Sequence, residues 1–125
     1  MVFGIGVDIV KVERVKEAVL RWGDKFTERL FTQQELSYCF GRHNPYISLS
    51  ARFAAKEAVV KAISSGIPFS FREAEVVNSP GGQPTMQARG RLADFLKEKG
   101  VVNIHLSLSH ENEFAVAYVL LEKSD

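Results

Sequence analysis

The chain opens on alternating apolar and small residues. Over residues 2–10, Phe3, Ile5, Val7 and Ile9 share one face of an extended strand, and Gly4, Gly6 and Asp8 share the other. Apolar character dominates, which predicts a buried strand, and glycines beside Asp8 leave room for another backbone or a ligand. Helical spacing follows over residues 11–22, where Val12, Val15, Val19 and Trp22 form an apolar stripe. Arg14 and Arg21 lie on a neighbouring outward face, joined by Lys25 if the turn continues. Thr32-Gln33-Gln34-Glu35 has capping-box spacing and starts a short helix to about Phe40. After a loop at residues 41–45, a longer helix runs from about Ile47 to Ser64, closed by Gly66 and Pro68. Its Ala51, Ala54, Ala55, Ala58 and Ala62 predict close approach to a sheet.

The second half reads as a short strand at residues 74–78, a turn at 79–82 and a return at 84–87. A helix follows from Ala88 to Lys99, with Leu92, Phe95 and Leu96 inward and Gly100 as its stop. Strands at 102–109 and 114–122 are joined by a hairpin at His110–Glu113. The sum is a single α+β domain over residues 1–125, a mostly antiparallel sheet packed against a long helix.

Composition narrows the functions open to this fold. A chain of 125 residues buries only about two-thirds of its unfolded surface, so contacts between copies are expected. A net charge of +1 argues against wholesale nucleic-acid binding. The lone Cys39 rules out an intrachain disulfide and fits a reducing compartment. No signal-like amino terminus or membrane-length apolar run is evident, which points to the cytoplasm.

The chemistry concentrates in Asp8, Glu57 and Lys61. An acid between Val7 and Ile9 is costly to bury unless it is paired or bound to a metal, although Asp8 could equally cap the helix that follows. Glu57 and Lys61 are spaced i, i+4, and as a surface ion pair they would contribute only about 0.3–0.5 kcal/mol. Their alanine, valine and phenylalanine neighbours make a poor solvated face. Two carboxylates and a lysine on small, apolar elements suit Mg²⁺ and a phosphate-bearing substrate, with Mn²⁺ equally compatible. Arg52 and Lys56 form a second i, i+4 pair, which a solvated helix face would explain as well as an anion site. His105, Ser107 and Ser109 share one strand face, either plain solvent-facing polarity or the wall of a ligand groove. A Ser-His nucleophile is not supported, because no orienting acid or oxyanion hole is announced. His110 reads as a turn residue.

Several of these segments, in this order, resemble the holo-acyl-carrier-protein synthase family of small 4′-phosphopantetheinyl transferases. They are Gly4-Ile5-Gly6-Val7-Asp8-Ile9, Arg14, Phe31-Thr32-Gln33-Gln34-Glu35, Arg52 to Ala62, Gly81-Gly82-Gln83-Pro84, and Leu106-Ser107-Leu108-Ser109-His110-Glu111. Ser64-Ser65-Gly66-Ile67 departs from the family's usual Gly-Thr-Gly-Ile-like turn but keeps its glycine. The resemblance implies transfer of 4′-phosphopantetheine from coenzyme A to a serine of apo acyl carrier protein, with release of 3′,5′-ADP, in support of fatty acid biosynthesis. It implies Mg²⁺ on Asp8 and Glu57, and Lys61 on the pyrophosphate. It also implies coenzyme A contacts from Arg52, Arg42, His43 and Ser109, and carrier-protein docking by Arg14 and Arg21. A homotrimer with active sites between subunits is implied as well. A Mg²⁺-dependent hydrolase of coenzyme A and a non-catalytic module that binds coenzyme A or an acidic helix are the alternatives.

Overall fold

Two glycines decide how the first strand meets the long helix. A computed structural model describes residues 1–125. In it, strand β1 (Val2–Lys11) lies against α4 (Pro45–Ile63), with α1 (Val12–Trp22), α2 (Asp24–Leu30) and α3 (Gln33–Phe40) between them in sequence. A Cβ on Gly4 would run into the carbonyl oxygen of Ala62, and one on Gly6 into that of Ala58. The alanine-rich helix therefore does sit directly on the sheet, as its composition predicts.

After α4 come a 3₁₀ turn at Phe71–Glu73, the hairpin β2 (Ala74–Asn78) and β3 (Pro84–Ala88), helix α5 (Gly90–Glu98), and strands β4 (Val101–His110) and β5 (Phe114–Lys123). Strand β5 is central in a three-stranded antiparallel sheet of order β1-β5-β4, and β2-β3 forms a separate antiparallel pair. On the helix side of β5, Ala115, Ala117, Val119 and Leu121 are fully buried, and they join Leu49, Ala54, Ala58 and Val59 of α4 in the core.

Strand β1 is not buried on both faces. Gly6 and Val10 are covered by the helix side, whereas Ile5, Val7 and Ile9 are 55%, 53% and 63% exposed. Register pairs Ile5 with Leu120, Val7 with Tyr118 and Ile9 with Val116, so one side of the sheet is apolar and open in the single chain. Residue type predicts burial, but only one face of this sheet has a helix to cover it.

The helix at 11–22 also does not continue. Gly23 adopts φ 56°, a left-handed region favourable to glycine, and starts a second helix. Arg21 and Lys25 thus belong to different helices, and Trp22 leaves the predicted stripe and is exposed. The capping box is present as expected: the Thr32 hydroxyl accepts from the Glu35 amide, and the Glu35 carboxylate accepts from the Thr32 amide.

Glu35 does more than cap. Its Oε1 accepts from Lys56 Nζ at 2.9 Å and its Oε2 from the Val76 amide at 3.0 Å. Lys56 also donates to the carbonyls of Phe71 and Ala74, both at 2.8 Å, which uses all three of its donors. The solvated face allowed for Arg52 and Lys56 is therefore absent. Lys56 is fully buried and ties α4 to α3 and β2, and Arg52 is 4% exposed. No helix is long and apolar enough to cross a membrane.

Candidate functional site

Helix α4 presents two i, i+4 stripes to two different surroundings. Arg52 and Lys56 turn toward α3 and β2. Phe53 and Glu57 turn toward β1 and α1, where with Asp8, Val10, Arg14 and Phe26 they line a cleft of about 370 Å³. Asp8 does not cap α1: the helix starts at Val12, with Lys11 in the cap position and no side-chain cap bond.

Lys61, one turn beyond Glu57, does not form the intrahelical pair that its spacing allows. Its ammonium crosses to β1 and donates to Asp8 Oδ1 at 2.9 Å and to the Val7 carbonyl at 3.0 Å. Glu57 is half-buried. Burial pushes its carboxyl above the usual carboxylate range, the nearby Asp8 charge pushes the same way, and Lys61 offsets part of both. Two anions at one cleft, one of them reluctant to ionise, form a donor set that a divalent cation suits, and an ammonium already answers Asp8. Asp8 and Glu57 are the carboxylates in this cleft that could serve a divalent cation as ligands.

Arg42, Arg52 and His43 lie elsewhere. The Arg52 guanidinium sits 4.4 Å from the centre of the Tyr38 ring, and Arg42 sits 5.4 Å from it. Arg52 also donates to Asn78 at 2.6 Å, while its Nε is buried with no partner. His43 is exposed in the adjoining loop. Nothing in the sequence singled out Tyr38 as a platform for two guanidinium groups.

Arg14 borders the acidic cleft, which joins docking and metal candidates in one place. Arg21 is exposed and lies over the Trp22 ring at 5.0 Å. Trp22 belongs to a wider groove of about 990 Å³, lined also by Lys25, Phe26, Arg29, Phe71 and Arg72. Phe26 borders both depressions. Ser109 is on the opposite side of the sheet from Asp8. Register pairs Asp8 with Ala117 and Leu108 with the same Ala117, whereas Ser109 pairs with Val116. On that open face His105 Nε2 meets Glu122 at 2.9 Å. The residues singled out in the sequence thus fall in four places in one chain: the acidic cleft, the Tyr38 stack, the open sheet face, and the Trp22 groove beside which Arg21 lies.

A sequence model of the 4′-phosphopantetheinyl transferase superfamily matches residues 4–119. The chain belongs to this superfamily. Relatives of this phosphopantetheinyl transferase include the holo-(acyl-carrier-protein) synthase of Halothermothrix orenii, 41% identical over 98% of this chain and 99% of that one. The crystal structure of the synthase from Neisseria meningitidis superposes with a TM-score of 0.90 at 35% identity, covering 98% of this chain and 100% of the other. The Bacillus anthracis synthase, described in complex with coenzyme A (3′,5′-ADP), superposes at 0.80 with 37% identity over 99% of both chains. The α+β transferase fold expected from the sequence is therefore the fold of these enzymes.

Proposed function

We propose that this phosphopantetheinyl transferase moves 4′-phosphopantetheine from coenzyme A to a serine of apo acyl carrier protein in a Mg²⁺-dependent reaction that releases 3′,5′-ADP. The observation that carries this reading is the cleft in which Asp8, Glu57 and Arg14 meet, with Lys61 on Asp8 at its edge. Asp8 and Glu57 would hold the ion, which would supply electrostatic stabilisation of charge on the pyrophosphate oxygens.

The serine oxygen bonds to the β-phosphorus, and the bond from that phosphorus to the oxygen bridging to 3′,5′-ADP breaks. The serine proton passes to Glu57 or to a water in the cleft. Lys61 is a compact, rotatable donor for the phosphoryl oxygens. Little covalent chemistry is asked of the protein, so positioning and charge do most of the catalysis.

Arg42 and Arg52, gathered on Tyr38 with Arg52 Nε unpartnered, are assigned to the phosphates of coenzyme A, with His43 beside them. Arg14 and Arg21 are assigned to the acidic surface of the carrier protein, where exposed charges act mainly on encounter rate. The open face of Ile5, Val7, Ile9 and Tyr118 supports a homotrimer. Active sites between its subunits would bring Ser109, which faces away from Asp8 within one chain, to a neighbour's cleft. The lone buried thiol is in keeping with the cytoplasm, and the expected role is support of fatty acid biosynthesis.

Mass spectrometry of apo acyl carrier protein incubated with this protein, coenzyme A and Mg²⁺ tests the reading. A gain of one phosphopantetheine is expected. Cleavage of coenzyme A with an unmodified carrier would make the protein a hydrolase, and binding without turnover a module.

A further inference from the structure

Lys61 has a choice of two carboxylates and takes the one on the other element. Glu57 precedes it by four residues, the favourable order for an intrahelical pair. Yet its ammonium lies on Asp8 and on the Val7 carbonyl. The Lys61 side chain is 55% exposed and that of Asp8 only 16% exposed. One partner is thus fixed on a strand, and the other is a long chain free to swing. Two of the three ammonium donors are used, and the third is open to an incoming oxygen. Glu57 makes no hydrogen bond that would hold Lys61 back.

We propose that Lys61, besides its contact with the phosphate, couples the two ligands: it occupies Asp8 as an internal cation in the free enzyme, and coenzyme A draws it away so that the divalent ion can enter. The proposal rests on the metal assignment made above. It follows from charge balance in the cleft. Asp8, Glu57 and Lys61 sum to one negative charge, and removing Lys61 leaves two. A dication within a few ångströms of an ammonium loses roughly tenfold or more in affinity even at water-like screening. When the pyrophosphate takes over the ammonium, that penalty is lifted, so each ligand favours the other. Lys11 and Arg14, the other charged residues on the cleft, are common to both states and do not change the comparison.

The test measures Mn²⁺ affinity of the free protein by electron paramagnetic resonance at fixed pH, with and without 3′,5′-ADP-bearing coenzyme A. Lys61→Met keeps the methylene stem and removes the charge, and Lys61→Gln serves as a second variant. Both should bind Mn²⁺ about tenfold more tightly than wild type without coenzyme A, and the gain that coenzyme A brings to Mn²⁺ binding should shrink. A lysine that serves only as a phosphate ligand would leave the free-protein affinity unchanged, and a merely structural bridge would make it weaker in both variants. Either result overturns the proposal. Asp8→Asn separates the two levels of inference. Mn²⁺ binding indifferent to that change would sink the metal site itself and the coupling with it. Binding that depends on Asp8 but does not tighten in the Lys61 variants would sink the coupling alone.

Discussion

Lys56 and Glu35 meet at 2.9 Å with both side chains wholly removed from solvent. The pair joins α3 to α4 and, through Phe71, Ala74 and Val76, to the strand that follows. Removing one partner of such a pair leaves an uncompensated buried charge, so Lys56→Met is expected to cost about 3–5 kcal/mol in urea unfolding. Combining it with Glu35→Gln should recover part of that loss, because the orphan is then neutral. Additive costs in the double variant would show that the two side chains act independently.

Glu57→Gln should separate stability from turnover. The Glu57 carboxyl is held above its ordinary range, so the folded chain binds that proton more readily than the unfolded chain does. Its stabilising effect is complete below the unfolded value and is lost as pH rises through the folded one. Glutamine imitates the protonated form. Metal-free thermal melts at pH 8 should therefore show the variant about 2 °C more stable than wild type, with the difference vanishing near pH 4. Turnover should fall by about 100-fold or more. Near-normal activity would remove Glu57 from the reaction.

Arg14→Ala addresses docking. Carrier-protein affinity at low salt should drop by roughly tenfold, while coenzyme A affinity is kept, and the salt dependence of binding should flatten. Titration of each ligand separately by calorimetry decides it. An equal loss of both would reassign Arg14 to the coenzyme A side of the cleft.

Val7→Glu probes the open sheet face. Val7 is 53% exposed, so a single chain accommodates the charge, whereas three copies packed through this face do not. Sedimentation should report trimers for wild type and single chains for the variant. A variant that stays trimeric would place the contact elsewhere.

The features legible in the sequence are those set by near neighbours. The Thr32–Glu35 box, the alanine surface of α4 and the β4–β5 hairpin depend on spacing within a few residues. What escaped depends on distant partners. Lys56 resembles a surface lysine until Glu35, from another helix, supplies its counter-charge. Arg52 resembles one until Tyr38 and Asn78 cover it. Strand β1 misleads for a different reason: its side against the helix is made of glycines, and its greasy side has nothing over it. Helix α1 ends at Trp22, where the spacing places it; what the sequence does not announce is the separate helix α2, which Gly23 sets off from a polar pattern that runs on without a break.

The close fit of Gly4 and Gly6 beneath α4 has a consequence for folding fidelity. A strand that slips by one residue turns every side chain over. In β1 such a slip would present Ile5 and Val7 to the Ala58 and Ala62 carbonyls and send Asp8 out of its cleft. No branched side chain fits there, so the misaligned form cannot close. Two missing side chains thereby proofread the alignment that puts the aspartate beside Glu57 in the cleft.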